Sequence, residues 1–140
     1  MSSDFEKFAE RLQEEILEDA RKHYTEIVID NWMHPRNLGK IEKPDSYARI
    51  TGPCGDTMEF FLTIKSNIIK ECRFLTDGCG TSIACGSIVT ELAKGKELNQ
   101  AVGITQEIVL KTCGGLLPDD EHCALLASNT LIEAIRNYKR

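Results

Sequence analysis

The sequence predicts an α+β fold, a small antiparallel three-stranded sheet with helices packed on it. Three observations lead there. Apolar residues recur with a helical period at both ends of the chain, the period changes to two between Tyr47 and Thr76, and the helical pattern resumes after Gly78-Cys79-Gly80. A chain of 140 residues fits one domain, and a domain of that size buries roughly two-thirds of its unfolded surface, enough for a real core.

Residues 3 to 23 read as an amphipathic helix, with Ser3 as its cap, Glu6 reaching back, and Phe5, Phe8, Leu12, Ile16 and Ala20 on one face. Its seven acidic and four basic residues leave it at −3, over half of the chain's formal −5. A second, shorter helix starts at Tyr24 and stops near His34, because Pro35 disfavours a helical residue before it. His34 to Gly39 is then a loop. Tyr47 to Thr51 forms the first strand. Met58, Phe60, Leu62 and Ile64 alternate with Glu59, Phe61, Thr63 and Lys65 along the second, and Ser66-Asn67 turns the chain into a third that ends at Thr76. The next helix carries Ile83, Ile88, Val89 and Leu92 on one face and ends at Gly95. Two more follow, one from Thr105 to Thr112 and one from Pro118 or Asp119 through Ile135.

Composition narrows the function classes. The negative charge argues against nucleic acid as a partner, since phosphate neutralisation needs a basic surface. No run of about 18 apolar residues is present to cross a membrane. The acidic N-terminus lacks the basic start and apolar run of a secretory signal, so a cytoplasmic location is expected. In a reducing compartment six cysteines point to metal ligands, reactive thiols or core packing rather than disulfides.

Three segments place cysteine where chemistry is plausible on physical grounds. In Gly52-Pro53-Cys54-Gly55-Asp56, flanking glycines let the backbone approach a bound centre, and Cys54 and Asp56 can point together. In Asp77 to Ser82, Cys79 sits just before a helix N-terminus, and in Pro118 to Cys123, His122 and Cys123 fall in a first turn. Unpaired N–H groups and the helix dipole favour thiolate at the last two, the form that binds metal and attacks sulfur. Three thiolates with one oxygen or nitrogen ligand suit either tetrahedral zinc or a 2Fe-2S cluster, and ligand type alone does not choose. No Cys-x-x-Cys pair of a closed structural zinc site is present. Cys72 and Cys85 read as core; Cys113, ending a helix, keeps a second reading as a spare ligand or sulfur relay. Trp32 reads as a core anchor, His34 as a cap of the helix end or a support of the loop, His23 as solvated, and Lys94 and Lys96 as suiting the negative end of the helix that Gly95 closes.

At these residues the chain resembles the IscU/NifU-type iron–sulfur scaffold family, through the His34-Pro35-Arg36-Asn37 end of its second helix, Gly52 to Asp56, Asp77 to Ser87, and Leu117 to Cys123. The resemblance implies an IscU/SufE-like fold, with residues 24–140 as a single scaffold domain and residues 1–23 as a helical extension. It implies Cys54, Cys79 and Cys123 as cluster thiolates, Asp56 or His122 as the fourth ligand, Asp56 as the residue governing release, and Cys123 as persulfide acceptor. The cargo is a labile 2Fe-2S cluster built from iron and from sulfur supplied by a cysteine desulfurase, then passed to apo iron–sulfur proteins or carriers. The alternative is a SufU-like zinc-binding sulfur acceptor that activates the desulfurase. His122 and a spacing of 43 residues between Cys79 and Cys123 resemble the IscU branch. The family's chaperone-binding motif, Leu-Pro-Pro-Val-Lys, is replaced by Leu117-Pro118-Asp119-Asp120-Glu121, so dependence on that dedicated chaperone is not expected. The extension is expected to pack on the body or on a second copy in a homodimer.

Overall fold

The structure is a computed structural model that describes residues 3–139; residues 1, 2 and 140 of the expected extension and domain lie outside the described residues. Helix α1 (Asp4–Arg21) is capped by the Ser3 hydroxyl, which accepts from the Glu6 N–H, and α2 (Glu26–Met33) by Thr25 in the same way. Strands β1 (Ser46–Thr51), β2 (Thr57–Lys65) and β3 (Ile68–Thr76) form one antiparallel sheet in that order. Ser66 and Asn67 both have positive φ, 53° and 63°, the mirror-image turn whose twist matches a two-residue hairpin. Helices α3 (Gly80–Ala93), α4 (Leu98–Ala101), α5 (Gln106–Cys113) and α6 (Glu121–Arg136) follow, with a 3₁₀ turn over Pro118–Asp120 leading into α6.

One face of the sheet carries Met58, Phe60, Leu62, Ile64, Ile69, Cys72 and Phe74, all buried. Against it lie α3, packed on β3, and α6, packed on β1 and β2, with α2 and α5 in a further layer. The Ser46 hydroxyl donates to the Ala134 carbonyl and ties β1 to α6.

Two local expectations need correction, and one element went unread. Phe61, expected on the outer face, is buried there because the Tyr47 ring covers it at a centroid distance of 5.1 Å. The single apolar face expected for α3 gives way to burial around most of its circumference, since the sheet, α2 and α6 all pack on it and small residues such as Ala84, Gly86 and Ser87 let them come close. The short α4 was hidden by its brevity, although Glu97 and Gln100 form a reciprocal cap around it.

Gly86 is where the approach is tightest in the core. A Cβ there would stand 2.4 Å from two Phe74 ring carbons, and that ring is fully buried. Gly86→Ala is therefore expected to cost about 1–3 kcal/mol and to lower Tm by several degrees in a thermal melt. An unchanged Tm would contradict this packing.

Candidate metal centre

The β1–β2 loop, the β3–α3 junction and the start of α6 meet at one end of the sheet. The loop closes on itself through Gly52 N–H to Asp56 O at 2.8 Å and Gly55 N–H to Gly52 O at 3.0 Å. Gly55 has φ +93°, a conformation that side chains disfavour, so Cys54 and Asp56 lie on either side of a tight bend. The junction is anchored by Asp77, whose carboxylate accepts from the Thr57 N–H at 2.7 Å. Gly78 passes so close to Ser82 and Asp56 that a Cβ would fall 2.5 Å from the Ser82 hydroxyl oxygen and 2.9 Å from Asp56 Oδ2.

All five expected residues gather here. Cys54, Asp56 and His122 each offer a ligand atom, and these atoms lie within 4.8 Å of one another. Cys123 Sγ is 3.7 Å from His122 Nε2. The Thr81 hydroxyl stands between the other two sulfurs, 3.0 Å from Cys79 Sγ and 3.4 Å from Cys123 Sγ. Ser82 Oγ reaches Asp56 Oδ2 at 3.3 Å and Cys123 Sγ at 3.4 Å. The donor set of three sulfurs, a carboxylate and an imidazole fits a thiolate-bound iron–sulfur cluster or zinc.

The thiols differ in electrostatic setting. Burial works to raise the Cys79 thiol, but the Thr81 hydroxyl, the Ser82 and Thr81 backbone N–H groups and the Ser82 hydroxyl together bring it below the ordinary value. Cys79 is the cap residue of α3, so the expected preference for thiolate is met there. At Cys123 it is reversed. That side chain is 1% exposed, and burial raises its thiol despite the Ser82 and Thr81 hydroxyls. The expected gathering of three cysteines at an exposed end therefore holds for Cys54 and Cys79, while Cys123 forms the floor beneath them.

Thr81 and Ser82 were not singled out from the sequence, although hydroxyls two and three residues after a cap cysteine are a readable sign of donors aimed at its sulfur. Tyr24 was also missed as a member of this end. Its hydroxyl donates to Asp120 Oδ2 at 2.5 Å, and this bond, with burial and the nearby Asp120 charge, pushes its ionisation up to about 12. Cys72 and Cys85 are fully buried, and burial raises both thiols. Cys113 is also buried, its sulfur 3.4 Å from the Leu110 carbonyl, away from the centre. Trp32 packs partly buried beneath Gly80, and His34 closes α2 through its backbone N–H to Asp30 O.

A family model for the NifU-like N-terminal domain matches residues 23–140. The iron–sulfur cluster assembly scaffold protein IscU 1 of Archaeoglobus fulgidus is 41% identical over 118 residues, covering 84% of this chain and 77% of its own. The scaffold protein IscU of Haemophilus influenzae is 38% identical over 121 residues, covering 83% and 95%. Among solved structures, a putative SUF-system scaffold from Fervidobacterium islandicum superposes with a TM-score of 0.67 at 22% identity, over 80% of this chain and 96% of that one. A NifU-like N-terminal protein from Brucella abortus gives 0.65 at 16% identity, over 81% and 92%. The fold is shared with both, and by the match over residues 23–140 together with these relatives the chain belongs to the NifU-like N-terminal domain family.

Proposed function

We infer that the chain is a scaffold on which a labile 2Fe-2S cluster is assembled and from which it is handed on to apo-proteins or carriers. The observation that carries this reading is the convergence of Cys54, Asp56 and His122 within ligand distance of one another, with Cys79 and Cys123 joined to them through Thr81, Ser82 and His122. Its relatives named as cluster assembly scaffolds support it. The role is one of binding and transfer, and no small substrate is turned over. A reducing compartment, the cytoplasm in our reading, keeps the thiols available.

Within this reading Cys54, Cys79 and Cys123 are the cluster thiolates. Asp56 and His122 are alternatives for the fourth position, because both reach the same space beside Cys54. Sulfur arrives on a cysteine desulfurase as a persulfide. The Cys123 thiolate attacks its outer sulfur, a new S–S bond forms, and the desulfurase thiolate leaves. Cys123 is buried, its sulfur against the Thr81 and Ser82 hydroxyls of α3 and the His122 ring, so this step requires the site to open around that sulfur when the desulfurase docks.

Anaerobic reconstitution with iron, cysteine and a desulfurase tests the scaffold reading. The expected result is iron–sulfur visible absorption on the chain, lost on mixing with an apo-ferredoxin. Tight zinc, full sulfur acceptance and no such absorption would instead place the chain with zinc-binding desulfurase activators.

A further inference from the structure

Helix α1 stands away from the body. Its apolar stripe is open, with Phe5 77%, Phe8 60%, Leu12 46% and Ile16 52% exposed, and of that stripe only Ala20 is buried. The matched family domain begins at residue 23, so this stripe belongs to a segment outside it. Packing on the body, one of the two expectations for the extension, is thereby excluded for the stripe from Phe5 to Ile16. An 18-residue helix, about 27 Å long, is short for independent stability in water and ordinarily relies on packing of its apolar face.

The charges beside the stripe say what packs on it. On a helical projection Asp4, Arg11, Glu15 and Lys22 fall on one flank. If a second α1 runs antiparallel and Arg11 meets Glu15 of the other copy, the twofold axis repeats that pair, and the same register sets Asp4 opposite Lys22. The other flank then presents Gln13 to itself at the axis, with no like charges opposed. A parallel pair would instead stack two acidic first turns, Asp4 and Glu6, and align the helix dipoles. The antiparallel register also delivers the acidic first turn of one copy to the end of α1 in the other, where Arg21, Lys22, His23, Tyr24, Leu117 and Pro118 line an open hollow of about 400 Å³. Its basic rim matches Asp4 and Glu6. A membrane surface is the poorer occupant, because an interfacial helix relies on a Lys- and Arg-rich polar face and that of α1 is predominantly acidic.

We propose that α1 is a self-association helix that pairs antiparallel with α1 of a second copy, Arg11 of each chain facing Glu15 of the other. The pairing needs none of the metal ligands, so it stands or falls independently of the scaffold reading. Sedimentation velocity of the full chain at tens of micromolar should give twice the 15.7 kDa monomer mass. Phe8→Glu combined with Leu12→Glu should give a monomer with unchanged thermal unfolding of the body.

The register is tested by charge reversal. Arg11→Glu alone and Glu15→Arg alone should each weaken self-association by at least tenfold, and an equimolar mixture of the two should restore the dimer. No contact within one helix can produce that rescue. A monomeric wild-type chain, a dimer that persists in the Phe8/Leu12 variant, or a mixture of the two reversals that stays monomeric would each overturn the proposal. So would a wild-type monomer whose α1 is shielded from protease only when anionic vesicles or a desulfurase are added.

Discussion

Serine at Cys54, Cys79 or Cys123 is expected to abolish cluster assembly, whereas serine at Cys72, Cys85 or Cys113 should leave the cluster yield intact. A hydroxyl does not ionise near neutral pH and cannot replace a thiolate on iron, so in the proposed ligand set one exchange among the first three removes a ligand outright. The second three are buried in the hydrophobic core and share no hydrogen bond with the residues of the centre. There a hydroxyl replaces a weakly polar thiol and costs about 1–3 kcal/mol of stability where it finds no partner, so their effect belongs in the melting curve. The measurement is visible absorption per protein after anaerobic reconstitution, alongside Tm. Cys123→Ser with full yield would remove Cys123 from the centre, and Cys113→Ser with an intact fold but no cluster would bring in a thiol that the structure places elsewhere. Because metal must displace thiol protons, yield should also fall with decreasing pH, and the proton held by Cys123, whose thiol is raised by burial, is harder to remove than that of Cys79, whose thiol is lowered by the hydrogen bonds around it.

Much of where the six cysteines lie was legible in the sequence because it depends on local surroundings. Glycines beside Cys54 and Cys79 and a helix start at Cys79 report backbone shape within a few residues. The strand alternation that buries Cys72 with Phe74 is equally local. What escaped was set by neighbours distant in sequence. Cys123 lies in a first turn, as expected, yet it is buried because α6 lies across α3 and directs Cys123 towards Thr81 and Ser82. Phe61 is covered by Tyr47 from another strand, through a pairing register that period-two alternation does not specify. The Tyr24–Asp120 bond spans 96 positions, and no local pattern announces it. The amphipathic reading of α1 held for its pattern and left its partner open, since a stripe records that something covers it without naming what.

Asp56→Ala is expected to hold the cluster longer and to slow its transfer by on the order of tenfold, a change of about 1.4 kcal/mol in the release barrier. The carboxylate has two ways to promote release. It reaches the ligand space shared with Cys54 and His122, where a hard oxygen is a weaker partner for a cluster than a thiolate. It also competes for the Ser82 hydroxyl, which lies 3.3 Å from Asp56 Oδ2 and 3.4 Å from Cys123 Sγ and has one proton to donate. When Asp56 holds that proton, the Cys123 sulfur loses a hydrogen bond that favours its thiolate. Removing the carboxylate commits Ser82 to Cys123, which strengthens that ligand. Ser82→Ala should do the opposite at Cys123 while leaving Asp56 in place, so the two variants should move transfer to an apo-ferredoxin in opposite directions. If Asp56→Ala loses its cluster faster than the parent, Asp56 is a ligand that retains the cluster, and its role in release is rejected.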